Sequence, residues 1–198
     1  MCQFVESIRI ENGLVQALDL HNDRMNRTRT HFWKDCLYLD IRNYLTAIPV
    51  QGLFKCRVVY EREILKVEYI PYSMRPVHSL KLVEDNEIDY QYKSTDRSNF
   101  NRLNDQRGDA DDILILKNGY LTDTSIGNIA LFDGTSWITP EKPLLEGVQR
   151  RKLLEANLLK LGNITKESLW SFQKLRIFNA MIDFGALEIP INKQYIIK

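Results

Sequence analysis

Three tight-turn signals constrain the fold of this chain more than any other feature of its sequence. The dipeptides Asn12-Gly13, Asn118-Gly119 and Asp133-Gly134 each separate two runs of apolar residues. Such dipeptides favour the two-residue turn that joins antiparallel strands, because that turn needs positive φ angles. The sequence therefore predicts β-hairpins in both halves of the chain and an antiparallel sheet in the second half.

Helical periodicity interrupts the strands in three places. From Asp19 onward, residues recur at the spacing of an amphipathic helix, namely His21, Arg24 or Met25, Thr28 and Phe32. Another helix is predicted to open at Gly147, to carry Leu154, Leu158 and Leu161 on one face, and to end at Gly162. A weaker helix is predicted over residues 41–48, ahead of Pro49.

Strand patterns account for much of the remaining chain. Residues 53–60 and 64–69 are rich in β-branched and aromatic residues and are bounded by turn residues, and residues 79–83 could form another strand. The order of strands followed by a helix occurs twice, without the strict strand-helix alternation of a doubly wound parallel sheet. We therefore predict an α+β fold in two lobes, 1–80 and 81–198.

Composition limits the class of protein and its partners. The 198 residues are 44% hydrophobic and 27% charged with a net charge of +1, as in an ordinary globular protein. A net charge so close to zero gives no electrostatic argument for nucleic acid or an anionic membrane as a partner. The chain has no apolar run long enough to span a bilayer and no signal-peptide pattern at its start, so we expect a cytoplasmic protein.

Cys2, Cys36 and Cys56 form no close-spaced pair. Their spacing suggests neither a disulfide framework nor a metal site, and three reduced thiols are the simpler expectation.

Two polar segments could carry chemistry, although their residue types leave the question open. The segment 121–133 places a carboxylate, hydroxyls and an amide just before a hydrophobic strand. Judged by itself, Asp123 is better explained as a turn acid that binds local backbone N–H groups. The N–H groups after Gly147 could bind a phosphate at the start of a helix, but such groups are more often simply capped.

Six motifs in the same order resemble those of one enzyme family, the class IV aminotransferases. This family includes branched-chain and D-amino acid aminotransferases and 4-amino-4-deoxychorismate lyase. The motifs are Phe4-Val-Glu-Ser-Ile-Arg9, Leu20-His21-Asn-Asp-Arg24-Met25, Tyr92-Lys93-Ser94-Thr-Asp96-Arg97, Leu121-Thr-Asp123-Thr-Ser-Ile-Gly-Asn128-Ile, Leu145-Glu-Gly147-Val-Gln149-Arg150 and Phe178-Asn179-Ala180-Met181. Each is weak alone, but together they cover almost the whole chain.

The resemblance implies a two-lobed fold of the D-amino acid aminotransferase type (fold type IV) and pyridoxal 5'-phosphate as cofactor. It implies that Lys93, assigned to the second lobe, forms a Schiff base with the cofactor and then moves the α-proton of the substrate. Asp123 would face the pyridine nitrogen and keep it protonated.

The same resemblance implies the other ligands. Arg24 would bind the cofactor phosphate, although a salt bridge with an acid such as Asp23 would also explain it. The remaining implied ligands of the cofactor are Asn128, Gly147, Val148 and Gln149. For an amino acid-like substrate they are Arg57 and Asn179; a structural ion pair is nearly as good an explanation of Arg57.

Several departures from the family pattern favour its lyase-like branch. Asp123 stands where the family usually has Glu, Gln149 where aminotransferases have a hydroxyl residue, and Ser98 where they often have Tyr. The chain also begins almost directly with the motif Phe4–Arg9, before which relatives usually have another strand and a loop, so we expect a shortened N-terminal part.

We therefore expect a lyase that eliminates pyruvate from aminodeoxychorismate to give 4-aminobenzoate. Its rivals are a branched-chain or D-amino acid aminotransferase and a non-catalytic module, which the short N-terminal part favours and Lys93 opposes. The family's sites lie between two lobes and are completed by the partner subunit, so the resemblance also implies a homodimer.

Overall fold

The computed structural model describes residues 2–197, and these form two compact units. The first unit comprises the residues up to Met74 together with Tyr92–Asp96, and the second comprises Arg75–Gln91 and the residues from Arg97 onward. Strands and helices occur in both units, which confirms the predicted α+β class. The segment of Lys93, which the sequence assigned to the second lobe, belongs to the first unit.

The first unit is a four-stranded antiparallel sheet with one long helix. Its elements are β1 (Phe4–Glu11), β2 (Leu14–Val15), α1 (Leu18–Phe32), a 3-10 turn (Ile41–Tyr44), β3 (Leu53–Tyr60) and β4 (Ile64–Pro71). The strand order is β2-β1-β3-β4. Asn12 and Gly13 have φ angles of 49° and 82°, which confirms the predicted hairpin between β1 and β2.

The prediction of a helix over residues 41–48 is wrong, because only the 3-10 turn Ile41–Tyr44 forms there. The Asp40 side chain accepts a hydrogen bond from the Arg42 N–H and starts this turn. Leu45 is extended and Ala47 adopts a φ of 51°, so the chain leaves helical geometry before Pro49.

Every second side chain of β1 points into the core of the first unit. Phe4, Glu6, Ile8 and Ile10 are buried, while the residues between them are half-buried. The pairing register places Val58 opposite Glu6 and Cys56 opposite Ile8 on the same face of the sheet. This apolar row packs with Met25 of α1 into one core. Each fully buried aliphatic side chain contributes about 1.5–3 kcal/mol through its removal from water.

The segment that carries Lys93 is attached to the free edge of β1. The N–H of Val5 donates to the carbonyl of Lys93 at 2.9 Å, and the N–H of Thr95 donates to the carbonyl of Gln3 at 2.8 Å. Tyr92 stacks on the His31 ring at 4.7 Å and meets the Phe32 ring edge-on at 5.0 Å. Backbone pairing and ring packing together fix the backbone of Lys93 beside β1.

The second unit is built on a nine-stranded mixed sheet. Its elements are β5 (Leu80–Glu84), α2 (Ser98–Asn104), a 3-10 turn (Asp105–Arg107), β6 (Asp112–Lys117), β7 (Tyr120–Thr124), β8 (Asn128–Phe132), β9 (Trp137–Pro140), α3 (Val148–Glu155), β10 (Lys160–Gly162), a 3-10 turn (Ser168–Ser171), β11 (Lys174–Asn179), β12 (Ile182–Pro190) and β13 (Ile196–Ile197). The strand order is β10-β9-β8-β7-β6-β5-β13, and β11 joins β8 to β12.

The predicted hairpins of this unit are confirmed. Asn118 and Gly119 have φ angles of 51° and 80° between β6 and β7, and Gly134 has a φ of 101° between β8 and β9. The predicted antiparallel sheet covers β6 to β9, whereas β5 pairs in parallel with β6 and with β13. The sheet is therefore mixed at its ends.

The predicted extent of the helix after Gly147, as far as Gly162, is also wrong. Helix α3 ends at Glu155, and Asn157 adopts a φ of 57°. Leu158 and Leu161 are more than half exposed and lie outside the helix. Lys160–Gly162 instead forms a short strand parallel to β9, whose ladder replaces further helical hydrogen bonds. Within residues 2–197, every helix is too short or too polar to traverse a bilayer.

Candidate functional site

A buried carboxylate organises the polar residues of the first unit. Glu6 accepts hydrogen bonds from Arg24 Nε at 2.9 Å on Oε1 and from Arg24 Nη2 at 2.5 Å on Oε2. His21 Nδ1 lies 2.6 Å from the same Oε2. Glu6 and His21 are fully buried and Arg24 is 8% exposed. We call these three residues the Glu6 cluster.

The cluster sets the charge of each of its members. Burial alone would raise the pKa of Glu6, but the charge of Arg24 and the hydrogen bonds from His21 and Arg24 outweigh it and lower the pKa to about 2. Burial lowers the pKa of His21, against the opposing effect of Glu6. At neutral pH the carboxylate is therefore ionised and the imidazole is neutral, with Nδ1–H donating to Glu6.

That tautomer leaves Nε2 of His21 as a hydrogen-bond acceptor. Nε2 is buried and has no hydrogen-bond partner among the described residues. The positive charge of Lys93 acts on the same ring and lowers its pKa further. Lys93 and Arg24, two of the predicted cofactor ligands, thus belong to the same unit, one attached to the edge of β1 and the other on α1.

Asp123 organises a second group of residues, in the second unit. It lies near the end of β7 and pairs in register with Asn128, the first residue of β8. Asn128 Nδ2 donates to Asp123 Oδ1 at 2.7 Å, and the Leu145 N–H donates to Oδ2 at 3.0 Å. Asn128 Nδ2 also donates to the Leu145 carbonyl at 2.8 Å. We call Asp123, Asn128 and the turn Leu145–Gly147 the Asp123 cluster.

Neutral donors hold Asp123, and its pKa differs accordingly from that of Glu6. Burial raises its pKa to about 6, while the hydrogen bonds from Asn128 and from the Leu145 N–H oppose the rise. A cationic group placed against this carboxylate would favour its charged form. The protonated nitrogen of a heterocycle is such a group, and its proton would be stabilised in return.

Gly147 joins this cluster to the start of α3. A Cβ added at Gly147 would lie 2.0 Å from Oδ1 of Asn128, so any side chain there would displace the amide. Gly147 also provides no side-chain cap for α3. The backbone N–H groups of Val148 and Gln149 are therefore left without a capping side chain from Gly147, and such groups at a helix start favour an anion.

The two residues predicted to bind substrate have protein partners. Arg57 Nη1 donates to Glu68 at 3.0 Å across β3 and β4, which is the structural ion pair considered above. Asn179 Nδ2 donates to the Ile126 carbonyl at 2.8 Å, and its Oδ1 accepts from the Met181 N–H. Their roles toward a substrate stay predictions.

Glu6 and His21 were not predicted as site residues, although both lie within quoted motifs. The signal in the sequence was Glu6 itself, a charged residue in the row of β1 that is otherwise apolar and buried. A charge in such a row requires a partner of opposite charge. Among residues 2–197, no group of three or more His, Cys, Asp or Glu side chains could hold a metal ion.

A family model for amino-transferase class IV matches residues 3–187. The chain belongs to the class IV aminotransferase family. A Haemophilus influenzae protein of uncharacterised function is 37% identical over 187 residues, which cover 91% of this chain and 98% of that protein.

Among the solved structures that resemble the chain are two that differ widely in their sequence identity to it. A Haemophilus somnus protein described as a "putative 4-amino-4-deoxychorismate lyase" is 33% identical with a TM-score of 0.86, covering 92% of this chain and 97% of that one. A hypothetical aminotransferase from Mycobacterium tuberculosis, solved in a PLP-bound form, has a TM-score of 0.75 at 14% identity. It covers 96% of this chain and 80% of that one, and this likeness concerns the fold alone.

These findings confirm the predicted family and the fold type IV architecture. They also confirm the prediction that the protein is a lyase or an aminotransferase that depends on pyridoxal phosphate, which is the cofactor of this family. The roles of single residues in this class IV family member stay predictions.

Substitution of Gly147 tests the packing of the Asp123 cluster. We expect Gly147→Ala to push Asn128 aside, break its bonds to Asp123 and Leu145, and cost about 1–3 kcal/mol in the free energy of unfolding, as for other buried polar groups left without partners. Urea denaturation measures this cost. Lys142→Ala, an exposed change in the same loop, should alter stability by less than about 0.5 kcal/mol. Equal stability of the two variants would contradict the assigned role of Gly147.

Proposed function

We propose that this family member is a pyridoxal-phosphate-dependent lyase that eliminates pyruvate from 4-amino-4-deoxychorismate and releases 4-aminobenzoate. The observation that carries the cofactor assignment is the buried carboxylate of Asp123, which accepts hydrogen bonds from Asn128 and the Leu145 N–H and whose pKa burial raises to about 6, against these bonds and the charge of Arg150. The substrate assignment is supported by the 33% identity to the Haemophilus somnus protein. Ser98, in place of the Tyr common in aminotransferases, also supports it.

The residues present fit the chemistry of pyridoxal phosphate. A primary amine for its aldehyde is available in Lys93, and an acceptor for its ring N–H is available in Asp123. For its phosphate there are a guanidinium, Arg24, and the N–H groups of Val148 and Gln149 at the start of α3. The steric limit at Gly147, where a Cβ would meet Asn128 at 2.0 Å, keeps this helix start next to the amide that orients Asp123.

The bound cofactor would supply an electron sink for the negative charge that develops at the α-carbon of the substrate. Asp123 would maintain that sink by accepting a hydrogen bond from the ring nitrogen and so keeping it protonated. Lys93 Nζ would first hold the cofactor aldehyde and then, once displaced by the substrate amine, take up the α-proton. Loss of the enolpyruvyl group from the β-carbon, with the proton that Lys93 took up returned to it, would give pyruvate without a second keto acid.

The proposal includes a homodimer and a cytoplasmic location. The three free cysteines fit a reducing compartment. Two units of this size bury limited surface as a single chain, which favours association. Light scattering at micromolar concentration should give a mass near twice the 23.3 kDa of one chain. A mass of a single chain with cofactor bound would contradict the dimer.

Lys93 provides the direct test of the cofactor. We expect the purified protein with added pyridoxal phosphate to absorb visible light, and borohydride reduction to fix the cofactor on Lys93 as shown by peptide mass spectrometry. Lys93→Ala should lose both the visible band and the adduct. The control Lys166→Ala, which removes an exposed lysine, should keep both. Adducts scattered over surface lysines would overturn the assignment.

The reaction is tested by following pyruvate release from aminodeoxychorismate in the absence of any 2-oxo acid. We expect turnover by the wild type and a loss of at least ~100-fold in Asp123→Asn, because an amide cannot hold the ring nitrogen protonated. The variant should still bind the cofactor. If the wild type instead requires 2-oxoglutarate and transfers an amino group from branched-chain or D-amino acids, the protein is an aminotransferase.

A further inference from the structure

The geometry of the Glu6 cluster carries an inference about how this chain holds an anion, and it rests on the proposed function. We infer that Glu6 is a positioning residue: it fixes the guanidinium of Arg24 in the orientation that binds the phosphate of the cofactor. Glu6 itself touches neither the cofactor nor the substrate in this proposal.

The contacts of Arg24 determine its orientation. Its Nε and Nη2 both donate to Glu6, at 2.9 and 2.5 Å, so that two parallel hydrogen bonds join two planar groups. This fork fixes the plane of the guanidinium and the direction in which its other N–H groups point. An arginine otherwise loses substantial side-chain entropy when it is ordered by a ligand, and here the protein has ordered it beforehand.

His21 fixes the carboxylate from the other side. Its Nδ1 lies 2.6 Å from Oε2, the oxygen that also accepts from Arg24 Nη2. Because Glu6 is ionised, Nδ1 carries the proton and the ring is neutral. Glu6 therefore has donors on both oxygens and cannot rotate without breaking one of them.

Two effects of Glu6 on phosphate binding oppose each other. Its negative charge offsets the positive charge of Arg24 and by itself weakens the attraction for an anion. Removal of the Glu6 charge, however, would leave the Arg24 side chain, which is only 10% exposed, without a negative charge from β1 to balance it. Buried unpaired charges are avoided, and a flexible arginine escapes by moving toward water. The loss of orientation therefore outweighs the gain in net charge.

The prediction concerns the part of cofactor affinity that the phosphate contributes. This is the ratio of the dissociation constants of pyridoxal and pyridoxal 5'-phosphate, measured by titrating the purified apoprotein and following its intrinsic fluorescence and the visible band. We expect a ratio of at least ~100 for the wild type, since charge-assisted hydrogen bonds to phosphate are strong. Glu6→Gln should lower the ratio by at least ~10-fold and alter the pyridoxal constant much less.

A double-mutant cycle identifies Arg24 as the residue through which Glu6 acts. Arg24→Gln should lower the ratio by itself, and adding Glu6→Gln should then have no further effect on it. Glu11→Gln, which removes the acid paired with Arg9 on the same strand, is the matched control and should keep the wild-type ratio. Glu6→Asp covers the case that Glu6→Gln does not fold, because it retains the buried charge but shortens its reach, and it should lower the ratio partially.

The outcomes separate this inference from the proposed function. If the wild type prefers the phosphate form and a folded Glu6→Gln or Glu6→Asp keeps that preference within about threefold, the positioning role is wrong while the cofactor assignment stands. The same holds if Arg24→Gln keeps the preference. If the wild type binds neither aldehyde, the proposed function and the positioning role both fail.

Discussion

The two hydrogen bonds that Asn128 Nδ2 donates join the end of β7, the start of β8 and the turn before α3 in the second unit. One bond goes to Asp123 at the end of β7 and the other to the Leu145 carbonyl in the turn before α3. Leu145 in turn donates its N–H to Asp123, so three separate chain segments share one closed ring of hydrogen bonds. The position of α3 and the orientation of the carboxylate depend on this ring, and Gly147 is the residue whose lack of a side chain leaves room for it.

Two buried carboxylates in this chain illustrate how environment divides chemical roles. Burial acts on both, but Glu6 meets the charge of Arg24 and its pKa falls to about 2, whereas Asp123 is held by neutral donors and its pKa rises to about 6. The first is therefore a permanent anion suited to holding a cation in place. The second changes charge easily, which suits a group that responds to a positive ring nitrogen.

The pH dependence of stability has opposite sign at these two positions. The folded-state pKa of Glu6 is depressed, so its contribution is present above the ordinary glutamate pKa near 4.5 and is lost as the pH falls toward 2. The folded-state pKa of Asp123 is raised from 3.8, so its contribution is present at low pH and is lost as the pH rises through about 6. A cation bound against Asp123 would remove this loss, and cofactor binding and stability would then be linked near neutral pH.

Local signals in the sequence were sufficient for the hairpins and for α1, because turn dipeptides and helical spacing depend on neighbours along the chain. They failed at α3, where Leu158 and Leu161 continue a helical spacing that pairing of Lys160–Gly162 with β9 overrides. The motifs identified Lys93, Arg24 and Asp123 as candidate site residues, but not the hydrogen bonds that join Glu6 to His21 and Arg24. These bonds form only when β1 and α1 pack together, because a histidine and an arginine on the helix must meet a carboxylate on the strand.

The placement of Lys93 shows the same limit and its physical origin. Nothing in the polar segment around it predicts that five residues, Tyr92–Asp96, return to the first unit. The attachment depends on pairing between residues about ninety positions apart, such as Val5 with Lys93, and on rings from α1 that pack against Tyr92. Its consequence is that Lys93 and the Glu6 cluster are anchored to the same strand, β1. The backbone of Lys93 and the guanidinium of Arg24 are thereby both held by β1, an arrangement that the proposed binding of a cofactor through its aldehyde and its phosphate would need.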